Sequence, residues 1–302
     1  MHKQRLTAKS VIALFITLFT AAVVADDGFS DIEIQATQVA AGIYMLTGKG
    51  GNIGLSAGSD GVFLIDDQFA PLTDRVRAAI GRLSDQPVRF LLNTHWHPDH
   101  TGGNENLGNA GTVIVAHDNV RKRLSVDSFI KMFNMQTTAT AAAGLPVITF
   151  NDAVSFHLNG EEIHVMHVMN AHTDGDAIVH FRGSNVIHAG DIYFSGMYPF
   201  IDTDSGGSVG GYIKAIDQVL ALADDKTVII PGHGKLSNKQ ELIGYRDMIS
   251  TISERIQGLL DKQASLEQIQ AGNPTGEYDE NYGGGMINNE RFVEMIYRDM
   301  NP

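Results

Sequence analysis

Four short apolar runs in this chain each lead straight into residues that bind metals. "RFLLNT" (Arg89–Thr94) runs into "HWHPDHTGG". A run ending near Met169 leads to "AHTDGD" (Ala171–Asp176), "NVIHAG" (Asn185–Gly190) to Asp191, and "TVIIPG" (Thr227–Gly232) to His233. Apolar runs of this length, bounded by glycine, proline and asparagine, read as buried strands. Polar groups just past strand ends at one edge of a sheet converge from separate loops. The fold is therefore constrained to bring these strand ends together.

The rest of the chain supplies the layers. "GIYMLTG" (Gly42–Gly48), "NIGLSAG" (Asn52–Gly58) and "GVFLIDD" (Gly61–Asp67) read as strands with glycine turns, and "TVIVAH" (Thr112–His117) as a further strand. Pro71 opens a helix with Leu72, Val76, Ala79, Ile80 and Leu83 on one face. A short helix ends near Ser125, and residues 127–146 show no clean period. Strands resume at Val147. Two helices follow, with stripes Val209, Ile213, Ile216, Leu220 and Leu242, Tyr245, Ile249, Ile252, Ile256, Leu259, and a last helical segment lies near Arg291–Met300. No linker rich in proline and serine interrupts this pattern. The expectation is a single α+β domain over residues 26–302: two mixed β-sheets packed face to face, flanked by helices.

Residues 1–25 read as a secretory signal peptide. His2, Lys3, Arg5 and Lys9 precede an apolar stretch from Val11 to Val24, and Val23-Val24-Ala25 offers a cleavage site. That stretch is short for a membrane span, so the expected location is periplasmic or secreted, without a stable membrane anchor. The chain has no cysteine, which excludes disulfides, thiolate nucleophiles and thiolate metal ligands. Its net charge is −13, and cleavage of the basic leader makes it more negative. A nucleic-acid partner is disfavoured; a small-molecule substrate is expected.

Imidazole nitrogen and carboxylate oxygen are the donors zinc takes where thiolate is missing. In an extended segment, residues i and i+2 point the same way, so His95 and His97 can share one ion. Pro98 bends the chain, and Asp99 and His100 can turn toward a second. His172, Asp191 and His233 complete the candidate set.

With "HWHPDH", "AHTDGD", "HAGD" (His188–Asp191) and "PGHG" (Pro231–Gly234) in this order, and the strand-end "LIDD" (Leu64–Asp67) before them, the chain resembles the metallo-β-lactamase superfamily. The likeness runs from roughly Ile43 to Tyr245. It implies an αβ/βα sandwich with a dinuclear metal site at one edge. By position, His95, His97 and His172 would hold the first metal, Asp99, His100 and His233 the second, and Asp191 would bridge both. Asp99 would also orient a bridging hydroxide as the catalytic group. The implied cofactor is two zinc ions, with iron or manganese compatible. Asp66 is read as a supporting residue. The best-known zinc β-lactamases carry cysteine or serine in place of Asp191. An aspartate there is the pattern of the hydroxyacylglutathione hydrolases, lactonases and phosphodiesterases.

The expected function is hydrolysis of a small amide, lactam, lactone or ester, with β-lactamase activity within its scope. The rivals are a metal-binding accessory protein without turnover, and a phosphodiesterase or thioesterase of the same superfamily. Met132, Phe133 and Met135 are candidates for the pocket wall or for core under a loop, and Tyr198 and Phe200 in "MYPFID" for the pocket wall. The Gly48–Asn52 hairpin tip is a candidate flap. The remaining histidines of the strands, His117 among them, read as structural.

Overall fold

The alternation of apolar residues in the N-terminal half becomes a seven-stranded sheet in the computed structural model, which describes residues 28–301. The leader region 1–25 lies outside the described residues. The sheet's strands are β1 (Gln35–Ala40), β2 (Ile43–Thr47), β3 (Ile53–Gly58), β4 (Gly61–Ile65), β5 (Val88–Leu92), β6 (Val113–His117) and, after a small hairpin of β7 (Ser128–Ile130) and β8 (Met135–Thr137), β9 (Ile148–Phe150). The order is β1-β2-β3-β4-β5-β6-β9. The first four strands form an antiparallel meander, and β4, β5, β6 and β9 pair parallel. Parallel pairing requires crossovers. These are built from α1 (Thr73–Gly81), α2 (Pro98–Thr101), α3 (Asn104–Asn109) and α4 (Asp118–Leu124).

The second half forms a six-stranded sheet in chain order: β10 (Ala153–Leu158), β11 (Glu161–His167), β12 (Ala177–Phe181), β13 (Val186–His188), β14 (Val228–Ile230) and β15 (Ser237–Asn238). Only β13 and β14 pair parallel there, joined by the crossover helix α5 (Val209–Leu222).

The two sheets face one another. Ile43, Phe63, Ile65, Leu92 and Val115 of the first interlock with Ile163, Val165, Val179, Phe181 and Ile230 of the second in one buried cluster. Period-two alternation sends the intervening residues to the outer faces. On the second sheet, Ile178, Ile187 and Ile229 meet a helical layer of α5, α6 (Lys239–Leu260), α7 (Leu266–Ala271) and α9 (Asn289–Met300) through Ile216, Val219, Ile249, Ile252, Ile269 and Phe292. The short α8 (Asp279–Tyr282) lies between α7 and α9 in sequence. The α+β sandwich read from the sequence is the observed one. No helix among the described residues is long and apolar enough to cross a membrane.

The stretch 127–146, aperiodic in sequence, holds the β7–β8 hairpin. Its turn passes through Asn134 at φ 49°, a left-handed conformation that asparagine tolerates. The sequence gives such a strand pair little signal because each member is three residues long.

Candidate metal centre

The topology puts the four strand ends of interest at one edge. β13 and β14 are parallel, and β11, two antiparallel steps from β13, runs the same way. Their C-terminal ends therefore emerge together. Beyond β11 stands His172, beyond β13 Asp191 in a tight 3-10 turn (Gly190–Ile192), and beyond β14 His233. From the other sheet, β5 leads into a bend that carries His95, His97 follows in extended backbone, and Pro98 starts α2, which carries Asp99 and His100. A bond from Ala177 N–H to the Thr94 carbonyl (2.9 Å) ties this loop to the second sheet.

The side chains form two adjoining groups. His95, His97, His172 and Asp191 make one; Asp99, His100 and His233 make the other. In the first, His97 Nδ1 lies 3.1 Å from His95 Nε2 and 2.9 Å from His172 Nε2. Asp191 Oδ2 is 3.8 Å from His95 and 3.5 Å from His172. In the second, His233 Nε2 is 3.3 Å from both His100 Nε2 and Asp99 Oδ2. Asp191 reaches this group too, Oδ1 to His100 at 3.1 Å and Oδ2 to His233 at 3.4 Å. All seven residues proposed from the sequence are therefore brought together, with Asp191 between the groups.

The outer partners of the rings fix which nitrogens face inward. His97 Nε2 donates to Asp202 Oδ2 (2.9 Å), and His172 Nδ1 donates to the Phe200 carbonyl (2.7 Å). Thr94 Oγ1 gives its one proton to Asp66 Oδ2 (2.7 Å), so it accepts from His95 Nδ1 at 3.1 Å. In the first group, the three inward nitrogens are thus bare lone pairs facing one another about 3 Å apart. Such an arrangement is repulsive unless a cation sits among them. Two nitrogens bound to one zinc at tetrahedral angles are roughly 3.4 Å apart, so the spacing fits a metal ion. In the second group, His100 Nδ1 donates to Asp66 Oδ2 (2.8 Å), turning Nε2 inward.

Charge divides the groups. Burial, with the neighbouring His100, holds His95 well below the ordinary imidazole range, and burial takes His172 to about 4. Burial also disfavours charge on His100 and His233, but Asp191 and Asp99 more than offset it. His100 is held well above the usual range and His233 at about 9. Burial would push Asp99 and Asp191 up. The facing histidines reverse this, leaving Asp99 at about 2 and Asp191 well below the carboxylate range.

The supporting residues are only partly visible in sequence. Asp66 sits at φ 62°, a conformation costly for a non-glycine residue. Its Oδ1 also accepts the Thr94 N–H at 2.7 Å. Asp202 lies 105 residues from His97, too far for any spacing rule. Replacing Asp202 by alanine is expected to weaken metal at the His95/His97/His172 group by about tenfold to a hundredfold. The second group should keep its affinity, as read by competition with a chromogenic chelator.

The Gly48–Asn52 tip is no flap. Gly51 N–H bonds to the Asp99 carbonyl (3.1 Å), Asn52 N–H to the Gly232 carbonyl (2.7 Å), and Asn52 Nδ2 to the Pro231 carbonyl (2.9 Å). A Cβ on Gly51 would stand 2.1 Å from the His100 ring. Glycine is present so that this backbone can press against a site residue.

A cavity of about 240 Å³ opens over both groups, floored by His97, Asp99, Asp191 and His233 and walled by Phe69, Ile130, Phe133, Met135, Phe194, Phe200 and Met286. Phe200 is in the wall, where the sequence reading put it, and Phe133, open there between wall and core, is wall as well. Tyr198 is not: its ring stacks on Phe292 at 4.7 Å in the helical core and its hydroxyl binds Asp279 at 2.8 Å. Met132 lines a neighbouring groove with Lys131, Arg291 and Arg298, because the 3-10 turn Lys131–Phe133 points successive side chains to different sides. Met135, open in the sequence between pocket wall and core, is wall. Ile130 and Phe194 were missed: the hairpin that carries Ile130 had no periodic signal, and Phe194 reads as an ordinary strand residue. His117 stacks on His167 at 3.8 Å outside the two groups, as a structural residue does.

Residues 46–233, more than half of the chain, match the family model for the metallo-beta-lactamase superfamily. A hydroxyacylglutathione hydrolase from Polaromonas sp. (strain JS666) is 28% identical over 172 residues, 56% of this chain and 57% of that protein. The chain therefore matches little more than half the length of that relative. Among solved structures, the stereoselective inverting sec-alkylsulfatase Pisa1 from Pseudomonas sp. superposes with a TM-score of 0.69 at 17% identity, over 88% of this chain and 50% of that one. A metallo-beta-lactamase from Pontibacter korlensis superposes with a TM-score of 0.59 at 18% identity, over 72% of this chain and 99% of that one. At such identities the likeness is one of fold. Matched across its strands and through the segments that carry all seven residues of the two groups, the chain belongs to the metallo-beta-lactamase superfamily.

Proposed function

We propose that the chain is an exported hydrolase that uses two divalent metal ions, zinc by the chemistry of the donors, to cleave a small carbonyl substrate. His95, His97 and His172 would hold one ion, Asp99, His100 and His233 the other, and Asp191 would be shared. The observation that carries this reading is the convergence of three bare imidazole nitrogens on one point, beside a second group that shares its carboxylate. Bound there, such ions supply Lewis acidity toward the carbonyl oxygen and a water acidified toward neutral pH.

The chain's own residues do the rest. Asp99 is ionised and borders the cavity, so its free oxygen can orient an attacking water and hold a proton in transit. In the overall step the water oxygen bonds to the carbonyl carbon and the C–O or C–N bond breaks. One proton passes to the leaving atom. Asp202, Asp66, Thr94 and the Phe200 carbonyl keep the rings turned inward without reorganisation. Phe133, Phe194 and Phe200 keep bulk water off the floor of the cavity. The leader's basic start and apolar stretch support export.

The test is metal content together with turnover on the purified mature protein. Two ions per chain are expected, with chelator-sensitive hydrolysis of at least one ester, lactone, thioester or lactam. A fully loaded protein idle on all four classes overturns the reading.

A further inference from the structure

We infer that this site takes an uncharged substrate whose group beside the reacting bond is compact and apolar, alkyl or aryl, and that Met135 limits its length. The inference rests on the hydrolase reading above and narrows its substrate. The cavity over the two groups holds about 240 Å³, below the roughly 300–1,000 Å³ typical of sites for drug-sized ligands. Above its floor the walls are Phe69, Ile130, Phe133, Met135, Phe194 and Phe200. The acidic side chains that line it are Asp99 and Asp191, and no lysine or arginine lines it among the described residues.

The reacting carbonyl belongs over the floor, so the walls decide what the far end of the substrate can be. A carboxylate among those walls would lose its water to apolar rings with no cationic side chain beside it, a costly burial. An alkyl or phenyl group would gain from the same walls. This disfavours glutathione thioesters, whose two carboxylates lie away from the reacting bond. Lys131, Arg291 and Arg298 line the neighbouring groove with Met132, and Arg123 lines the adjoining cavity.

Met135 has a second neighbour. With Phe69 and Pro98 it lines both this cavity and an adjoining one of about 430 Å³, whose walls include Trp96, Arg123 and Thr137. An unbranched, flexible thioether is thus part of the partition between the two. A chain that outgrows the first cavity meets Met135.

The experiment uses metal-loaded wild type and Met135→Ala with 4-nitrophenyl acetate, butanoate, hexanoate and decanoate, and with the 4-nitrophenyl half-ester of adipic acid. The last has the length of the hexanoate but ends in a carboxylate. In wild type, kcat/KM is expected to rise by about fourfold per methylene until the cavity is full. The adipate half-ester should lie at least about tenfold below the hexanoate. Met135→Ala should move the break to longer chains. Binding gives a readout apart from turnover. Trp96 is the sole tryptophan, with its ring 4.9 Å from that of His97. Hexanamide should change its emission saturably, and adipamate at least about tenfold more weakly. Equal rates for hexanoate and adipate half-ester, or a flat response to chain length in wild type, overturn the inference while leaving the hydrolase reading intact. If no ester turns over but hexanamide still binds in preference to adipamate, the pocket assignment stands and the hydrolase reading is decided by the lactone, thioester and lactam arms of its own test.

Discussion

Replacing Asp191 by alanine is expected to lower kcat/KM for any substrate of the wild type by about a thousandfold or more, and to leave at most one ion bound per chain. Asp191 lies in contact range of both groups: 3.5 Å from His172, 3.1 Å from His100 and 3.4 Å from His233. His95 and His172 remain neutral without it, since burial keeps both below the usual imidazole range. His100 and His233 are different. The buried cationic form each adopts is balanced chiefly by Asp191. Its loss would take away the anionic ligand proposed for both ions and the charge that balances those two imidazoles. Lewis-acid stabilisation is worth several kcal/mol, and about 1.4 kcal/mol is tenfold in rate, so a thousandfold loss is the modest end. Asp191→Glu, which keeps the charge, should retain part of both metal content and rate. Circular dichroism of the two variants separates a chemical loss from a folding one. An alanine variant that keeps two ions and stays within tenfold of wild type would remove the shared-carboxylate assignment.

Local chemistry explains which parts of this site could be read from sequence. His95, His97, Asp99 and His100 lie within six residues, and His172, Asp191 and His233 each follow an apolar run, so strand prediction alone carried them to one sheet edge. The layered fold was legible for the same reason: its inner and outer faces are written as period-two and helical patterns in long elements. What escaped was decided by tertiary contact. Asp202 orients His97 from the loop between β13 and α5, held there by its own N–H on the His172 carbonyl (2.9 Å). Tyr198 and Phe200 are two residues apart in one apolar run, yet one is core and the other pocket wall. The local turn and the arrival of Phe292 from α9 decide between them. Gly51 shows the reverse case. Its glycine was noticed and read as freedom to move, whereas the missing Cβ makes room for the His100 ring.

The second ion is expected to displace protons from His100 and His233, whereas His95 and His172 have none to give up to the first. His95 and His172 have pKa values below the ordinary range, His172 at about 4. Both are already neutral at neutral pH, so neither loses a proton to the first ion there. His100 and His233 are held above it, His233 at about 9 against an ordinary 6.5. A protonated imidazole cannot ligate, so the second ion must displace those protons. Its apparent affinity should fall by about tenfold per pH unit below about 9 for each proton displaced. Between pH 8.5 and 6 that is a loss of about three-hundredfold if His233 alone releases a proton, and more with His100. Stability of the metal-free protein should run the opposite way. A histidine whose folded pKa is raised contributes stability that is complete below its unfolded value and lost as pH rises through its folded one. The metal-free fold should therefore weaken between about pH 6.5 and 9, the window in which the second ion gains affinity. Both trends follow from Asp99 and Asp191, whose charge is balanced by protons at low pH and by metal at high pH. Calorimetric titrations in buffers of different ionisation enthalpy count the protons released at each step. Chelator competition at pH 6 and 8.5 measures the two affinities. Equal pH dependence for both ions, or a second step that releases no proton, would contradict the charge division between the two groups.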